Sequence, residues 1–176
     1  MGCDIHCYIQ YKKKTDDDKW WWTFGGKINP GRNYAMFGVL AGVRYRDIHG
    51  SFSPKGILPT EKQSWKVRDD LYLYITEDGK GENETTLENA QRWFGGREIL
   101  LDQDGKPWMV RHPDWHSHSW MTIEELQEAY KSYKKYAKKE GYNNGVPLEY
   151  KVILKMMKAL ENEGENEVLL VFWFDN

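Results

Sequence analysis

Val168-Leu169-Leu170-Val171-Phe172-Trp173-Phe174 is an unbroken apolar and aromatic run close to the end of a chain of 176 residues. It is too short for an ordinary helix, and its β-branched and aromatic content predicts a central strand in the interior of a sheet. The other end of the chain supplies a second strand. Cys3, Ile5, Cys7 and Ile9 alternate with Asp4, His6, Tyr8 and Gln10, the period of a strand with one buried face and one exposed face. The charged run 12–19 reads as an exposed turn, and 20–24, closed by Gly25-Gly26, as the returning strand of a hairpin.

Between these ends the pattern mixes both periods. Asn33 is the expected N-cap of a helix over 33–41 that turns Tyr34, Phe37, Leu40 and Ala41 inward and stops at Gly42. Residues 44–68 read as one long connection, a length that in a compact domain tends to carry function. Strand alternation marks 70–76, a short helix 86–94 ends at Gly95-Gly96, and 98–101 with 107–110 form a hairpin. Its turn is Asp102-Gln103-Asp104-Gly105. A calcium loop would need later ligands, including a closing Glu, that are missing here. Thr122-Ile123-Glu124-Glu125 is a capping box. Behind it Ile123, Leu126, Tyr130, Tyr133 and Ala137 form one apolar stripe. Lys131, Lys134, Lys135, Lys138 and Lys139 lie mostly off that stripe and read as a solvated basic face at a helix C-terminus, in preference to a phosphate-binding surface. A last helix runs from Pro147 to Gly164 with Ile153, Met156, Met157 and Leu160 inward, the methionines as core filler. The expectation is an α+β protein: a single domain over 1–176, a mostly antiparallel sheet with helices on one face, and long connecting loops.

Composition narrows the function. Twenty-seven acidic against 25 basic residues, a net charge of −2, argue against a protein that grips long nucleic acid. No apolar run is long enough to cross a bilayer, and the start has no signal-peptide core. The mean hydropathy of −0.81 would fit disorder, but nine Trp, eleven Tyr and six Phe supply a core. Cys3 and Cys7, about 13 Å apart along a strand, are too distant for a disulfide. A reducing cytoplasm is the expected location.

Three of the five histidines fall within 112–118. In Asp114-Trp115-His116-Ser117-His118-Ser119-Trp120, an extended backbone would put Asp114, His116, His118 and Trp120 on one side. Asp4 and His6 form a second Asp-x-His pair. In one reading Asp4, His6, Asp114, His116 and His118 hold one or two divalent metals that activate water on a phosphodiester. In another no metal is present: one histidine is general base, another general acid, a carboxylate orients one of them, and Arg32 or Arg44 holds the phosphate. In the third the histidines only bond backbone groups and the carboxylates cap turns. So many titratable groups in so short a stretch favour function for the cluster, with the His6 ring expected within roughly 10 Å of His116 or His118 around one phosphate. Arg32, Asn33 and Tyr34 at a helix start offer a guanidinium, an amide and a ring suited to a nucleotide, Asn33 also serving as cap. Ser119 and Trp120 extend the ligand-binding set. Cys3 and Cys7 read as inert core thiols and His49 as a surface-loop residue. Trp20, Trp21 and Trp22 cannot all point inward. At least one faces a groove, an interface or solvent, which suits a nucleotide base or a homo-oligomer contact equally.

The start Met-Gly-Cys-Asp-Ile-His, the block Arg32-Asn33-Tyr34-Ala35-Met36-Phe37 with Leu40-Ala41-Gly42-Val43-Arg44, Gly56-Ile57-Leu58-Pro59, His116-Ser117-His118-Ser119-Trp120 and the end Val171-Phe172-Trp173-Phe174-Asp175-Asn176 resemble a family of small phage and prophage proteins. The blocks span nearly the whole chain. The resemblance implies a protein working in the cytoplasm of an infected bacterium. Small phage proteins of this size often counter host defences, some by cleaving or sequestering cyclic nucleotide signals. By that association it implies a small nucleotide ligand rather than DNA, protein or sugar. The expected function is histidine-dependent phosphodiester cleavage of such a signal. The alternatives are a sponge that sequesters it between protomers, or a protein inhibitor of a host factor.

Overall fold

The 168–174 run lies within a nine-residue strand, Glu167–Asp175, at the middle of a four-stranded sheet. In the computed structural model, which describes residues 2–14, 20–45, 47–95, 97–142, 145–164 and 166–176, the elements in order are β1 (Asp4–Lys12), β2 (Trp22–Thr23), α1 (Tyr34–Ala41), α2 (Trp65–Leu71), β3 (Tyr72–Ile75), β4 (Glu84–Thr85), α3 (Leu87–Phe94), β5 (Leu100–Leu101), β6 (Pro107–Val110), β7 (His116–Met121), α4 (Ile123–Lys139), α5 (Leu148–Gly164) and β8 (Glu167–Asp175). A 3₁₀ turn at Thr60–Lys62 precedes α2. Most of the run 12–19 and Gly96 lie outside the described residues.

The first sheet has the order β2-β1-β8-β7 and is antiparallel throughout. Its centre joins the two ends of the chain, from Asp4 opposite Asp175 to Lys12 opposite Glu167. Val168, Leu170, Phe172 and Phe174 meet Cys3, Ile5, Cys7 and Ile9 in a core shared with α1, α4 and α5. The α+β class and the antiparallel sheet are as the sequence predicts.

The other face of the sheet departs from expectation. Leu169, Val171 and Trp173 pack with Tyr8, Leu58, Val67, Leu71, Tyr72 and Trp108 in a second core. That core is roofed by α2 and by a second sheet of order β4-β3-β6-β5, in which only the β3–β4 pair is parallel. The polar face of β1 is therefore not an exposed face. Tyr8 and Gln10 are buried, and Asp4 and His6 stay half-open only because they sit at the strand's end. Gln10 tolerates burial because its Nε2 donates to the Lys62 carbonyl at 2.6 Å and its Oε1 accepts the Ser64 N–H at 3.1 Å. Helices consequently lie on both faces of the first sheet.

Part of the 44–68 connection is ordered by a cap the hydrophobic pattern does not reveal. The Ser64 side chain accepts the Val67 N–H and starts α2. Asp70 and Leu71 end that helix instead of opening the strand, and Tyr72 becomes the buried residue of β3. Elsewhere local chemistry suffices. Thr122 and Glu125 form both bonds of the capping box. Asp102 Oδ1 accepts the N–H groups of Asp104 and Lys106, both at 2.9 Å, which closes the 102–105 turn. Of the three consecutive tryptophans, Trp21 is buried while Trp20 and Trp22 are exposed.

Trp173→Ala is expected to cost about 3–5 kcal/mol, the range for large aromatic truncation in a core. Trp22→Ala, at an exposed edge, is expected to cost less than about 0.5 kcal/mol. Urea unfolding of both variants checks this; equal midpoints would contradict a Trp173-centred core.

Candidate functional site

Antiparallel pairing of the terminal strands brings Asp4, His6, Asp175 and Asn176 to one end of the first sheet. Asp175 organises them. Its Oδ1 accepts the Asp4 N–H at 2.9 Å, and its Oδ2 lies 2.9 Å from His6 Nε2. The His6 ring sits beside two indoles, 5.3 Å from Trp115 and 5.7 Å from Trp173, its cross-strand partner. Burial pushes the Asp175 carboxyl up, but the bonds from His6 and the Asp4 N–H outweigh it and leave it below the usual carboxylate range. Asp4 is also lowered, by a two-pronged bond from Arg32, Nε to Oδ1 at 2.6 Å and Nη2 to Oδ2 at 2.7 Å.

The histidine segment does not follow simple alternation. His116 pairs with Phe174 and Ser119 with Phe172, so residues 117 and 118 both stand opposite Trp173. Ser117 takes the extra place of this bulge with φ +50°, in the left-handed region. The bulge corrects the expectation that Asp114, His116, His118 and Trp120 share a side. The His116 ring follows Phe174, 6.1 Å away, while the His118 ring stacks on Trp173 at 6.1 Å and 25°. Asp114 is off the strand, in an exposed turn 3.8 Å from His112 Nδ1, and joins neither group.

His6 and His118 share the Trp173 face but flank the indole from strands on either side of β8. Two strand spacings put them on the order of 10 Å apart, and the Trp173 ring occupies the gap. One phosphate therefore cannot sit directly between them. His118 Nε2 is buried with no protein partner, and burial, reinforced by Arg97 and His116, pushes the ring down to about 4. A groove of about 630 Å³ runs beside it, walled by Ile57, Leu58, Leu100 and Trp108. His116 is also lowered, mainly by burial, with Asn176 opposing, and its Nδ1 lies 2.9 Å from Ser117 Oγ.

The expected ligand-binding residues divide between two neighbourhoods. Arg44, at φ +67°, places its guanidinium 5.8 Å from the Tyr34 ring and its Nη2 3.4 Å from Asn176 Oδ1. It also lies beside Cys3, whose thiol is nonetheless raised because burial outweighs the guanidinium. Asn33 is the cap of α1, accepting the Met36 N–H at 2.9 Å, and its amide donates to Tyr133 Oη at 3.2 Å. Ser119 and Trp120 belong elsewhere. Ser119 Oγ accepts the Lys55 N–H at 3.2 Å, and Lys55 Nζ stands 3.7 Å over the Trp120 ring while pairing with Glu125 at 2.7 Å. Cys3 and Cys7 are buried free thiols, both raised by burial. His49 is exposed in its loop. Sequence reasoning missed Asp175, Trp115 and Trp173 as site residues. The only signal for Asp175 was its place directly after the central strand, which becomes meaningful once that strand pairs with β1.

Among the described residues no three His, Cys, Asp or Glu side chains converge as ligands for a metal ion. None of their helices is long and apolar enough to cross a membrane. Fold and site together define an α+β protein in which a carboxylate-oriented histidine, His6, is set beside two indoles at the end of the central strands. No family model, curated protein or solved structure matches the chain.

The lowered pKa values of His116 and His118 make stability depend on pH. Their folded values lie below the unfolded value near 6.5, so their contribution is complete above about pH 6.5. It is lost as pH falls toward the folded values, about 4 for His118. The unfolded chain binds the extra protons in that window, at a cost on the order of 3 kcal/mol for His118. The lowered carboxyls of Asp4 and Asp175 add a further loss at still lower pH. Urea midpoints should therefore fall between pH 6.5 and 4, and His118→Phe should remove most of that slope. An unchanged slope in the variant would contradict the assignment.

Proposed function

We propose that the protein acts on a small cyclic nucleotide signal of host defence, as a phage-encoded counter-measure, and cleaves its phosphodiester with His6 as the proton-handling group. The observation that carries this reading is the Asp175–His6 pair beside Trp115 and Trp173. Asp175 holds Nε2, which leaves Nδ1 to take the proton of an attacking hydroxyl or water, and the carboxylate stabilises the imidazolium that results. Arg32 commits Nε and Nη2 to Asp4, and its Nη1 remains for a phosphate oxygen. Arg44 brings a second guanidinium near His116 and Asn176. The indoles supply flat apolar surface for a base. The resemblance to small phage proteins favours the same ligand class.

One observation favours a second reading, capture without cleavage. His116 and His118 are both driven toward the neutral form, so a single histidine is left where a two-histidine acid–base mechanism needs a protonated partner.

Incubation of the purified protein with cyclic di- and trinucleotides and ADP-ribose derivatives, with and without chelator, separates the two. Cleavage predicts product peaks that survive chelation, and His6→Ala and Asp175→Asn should each lower turnover about 10²–10⁴-fold. Release of intact ligand on heating would select capture. Absence of both product and bound ligand would remove nucleotide chemistry and leave the inhibitor of a host factor.

A further inference from the structure

Five tyrosines from separate parts of the chain converge away from His6. Tyr34 of α1, Tyr45 of the following loop, Tyr133 and Tyr136 of α4, and Tyr142 after α4 line a cavity of about 480 Å³. Tyr45 and Tyr136 also border an adjoining cavity of about 590 Å³ that carries Arg44, Lys135 and Lys139. Tyr45 and Tyr142 expose 45 % and 60 % of their surface, large for rings of this size. The Tyr45 position is built into the fold. A Cβ on Gly38 of α1 would stand 2.5 Å from the Tyr45 carbonyl oxygen, so only glycine lets this loop seat on the helix. The preceding Arg44 is held in the left-handed region, unusual for a residue with a side chain. Tyr133 is nearly buried at the base, where its hydroxyl accepts from Asn33.

We propose that this cleft is a nucleobase-stacking subsite that takes the base of a nucleotide against Tyr45, Tyr136 and Tyr142 and its phosphate toward Arg44, Lys135 and Lys139. A flat π system bearing an anionic group is the ligand that uses rings and cations together. Asp47 and Glu140 share the second cavity, so the positive surplus there is small and stacking carries most of the affinity. The proposal deepens the nucleotide reading above and rests on it for ligand class. Arg44, near both the Tyr34 ring and His116, is the link between the two places.

Titration calorimetry on the full chain with 5′-AMP, adenosine and inorganic phosphate tests this without reference to turnover. AMP and adenosine should bind, and phosphate alone should bind far more weakly. Tyr45→Ala and Tyr142→Ala should each weaken AMP about 10-fold or more, and Tyr45→Phe should retain it. Lys139→Glu should weaken AMP but not adenosine. Tyrosine-dependent binding with no cleavage of any nucleotide would support the subsite and remove the cleavage proposal. AMP affinity untouched by both alanine variants, phosphate binding as tight as AMP, or no AMP binding at millimolar concentration would each overturn the subsite, even if cleavage were observed.

Discussion

Burial of β8 on both faces is the constraint from which the rest of the structure follows. Phe172 and Phe174 are enclosed from the helix side and Trp173 from the side of the second sheet. Burial of each such side chain is worth roughly 1.5–3 kcal/mol. A strand loaded on both faces cannot slip, because a shift of one residue would exchange its two sets of side chains. Register in β1 is pinned with it, and Asp4 is thereby held opposite Asp175. The carboxylate that orients His6 is placed by the hydrophobic packing of the three residues just before it on the same strand.

Trp173 serves both purposes at once. It closes the second core and is a ring neighbour of both His6 and His118. The two imidazoles meet the same indole and acquire opposite characters. His6, at the strand end, keeps some contact with solvent and gains Asp175. His118, deeper on β7, has no partner at Nε2 and is driven to the neutral form by desolvation. The bulge at Ser117 separates His116 from both by rotating it to the other face. Three histidines that are neighbours in sequence or in space thus have three environments, and only one has the carboxylate that acid–base chemistry calls for.

The sequence by itself determined the elements whose signals are local: the central strand 168–174, the alternation of 3–10, the Asn33 and Thr122 caps, the Asp-Gly turn and the stripe of α4. Each depends on bonds and periodicity within a few residues, which is why the α+β class was legible. Ser64 was an equally local cap, but it lay among turn residues with no long apolar stripe behind it, and α2 was hidden. The candidate site was legible only in part. Asp4, His6 and Arg32 do meet, through the Asp4–Arg32 pair and the shared Asp175, whereas Asp114, Ser119 and Trp120 go elsewhere. Only the tertiary structure decided these matters. Asp4 and Asp175 are 171 positions apart in the chain and become neighbours only through the β1–β8 ladder. The side on which His116 lies depends on one extra residue in a ladder whose register long-range packing sets. Whether the polar face of β1 met water or protein depended on a second sheet formed far along the chain, and a period of two reports alternation without telling what covers each face.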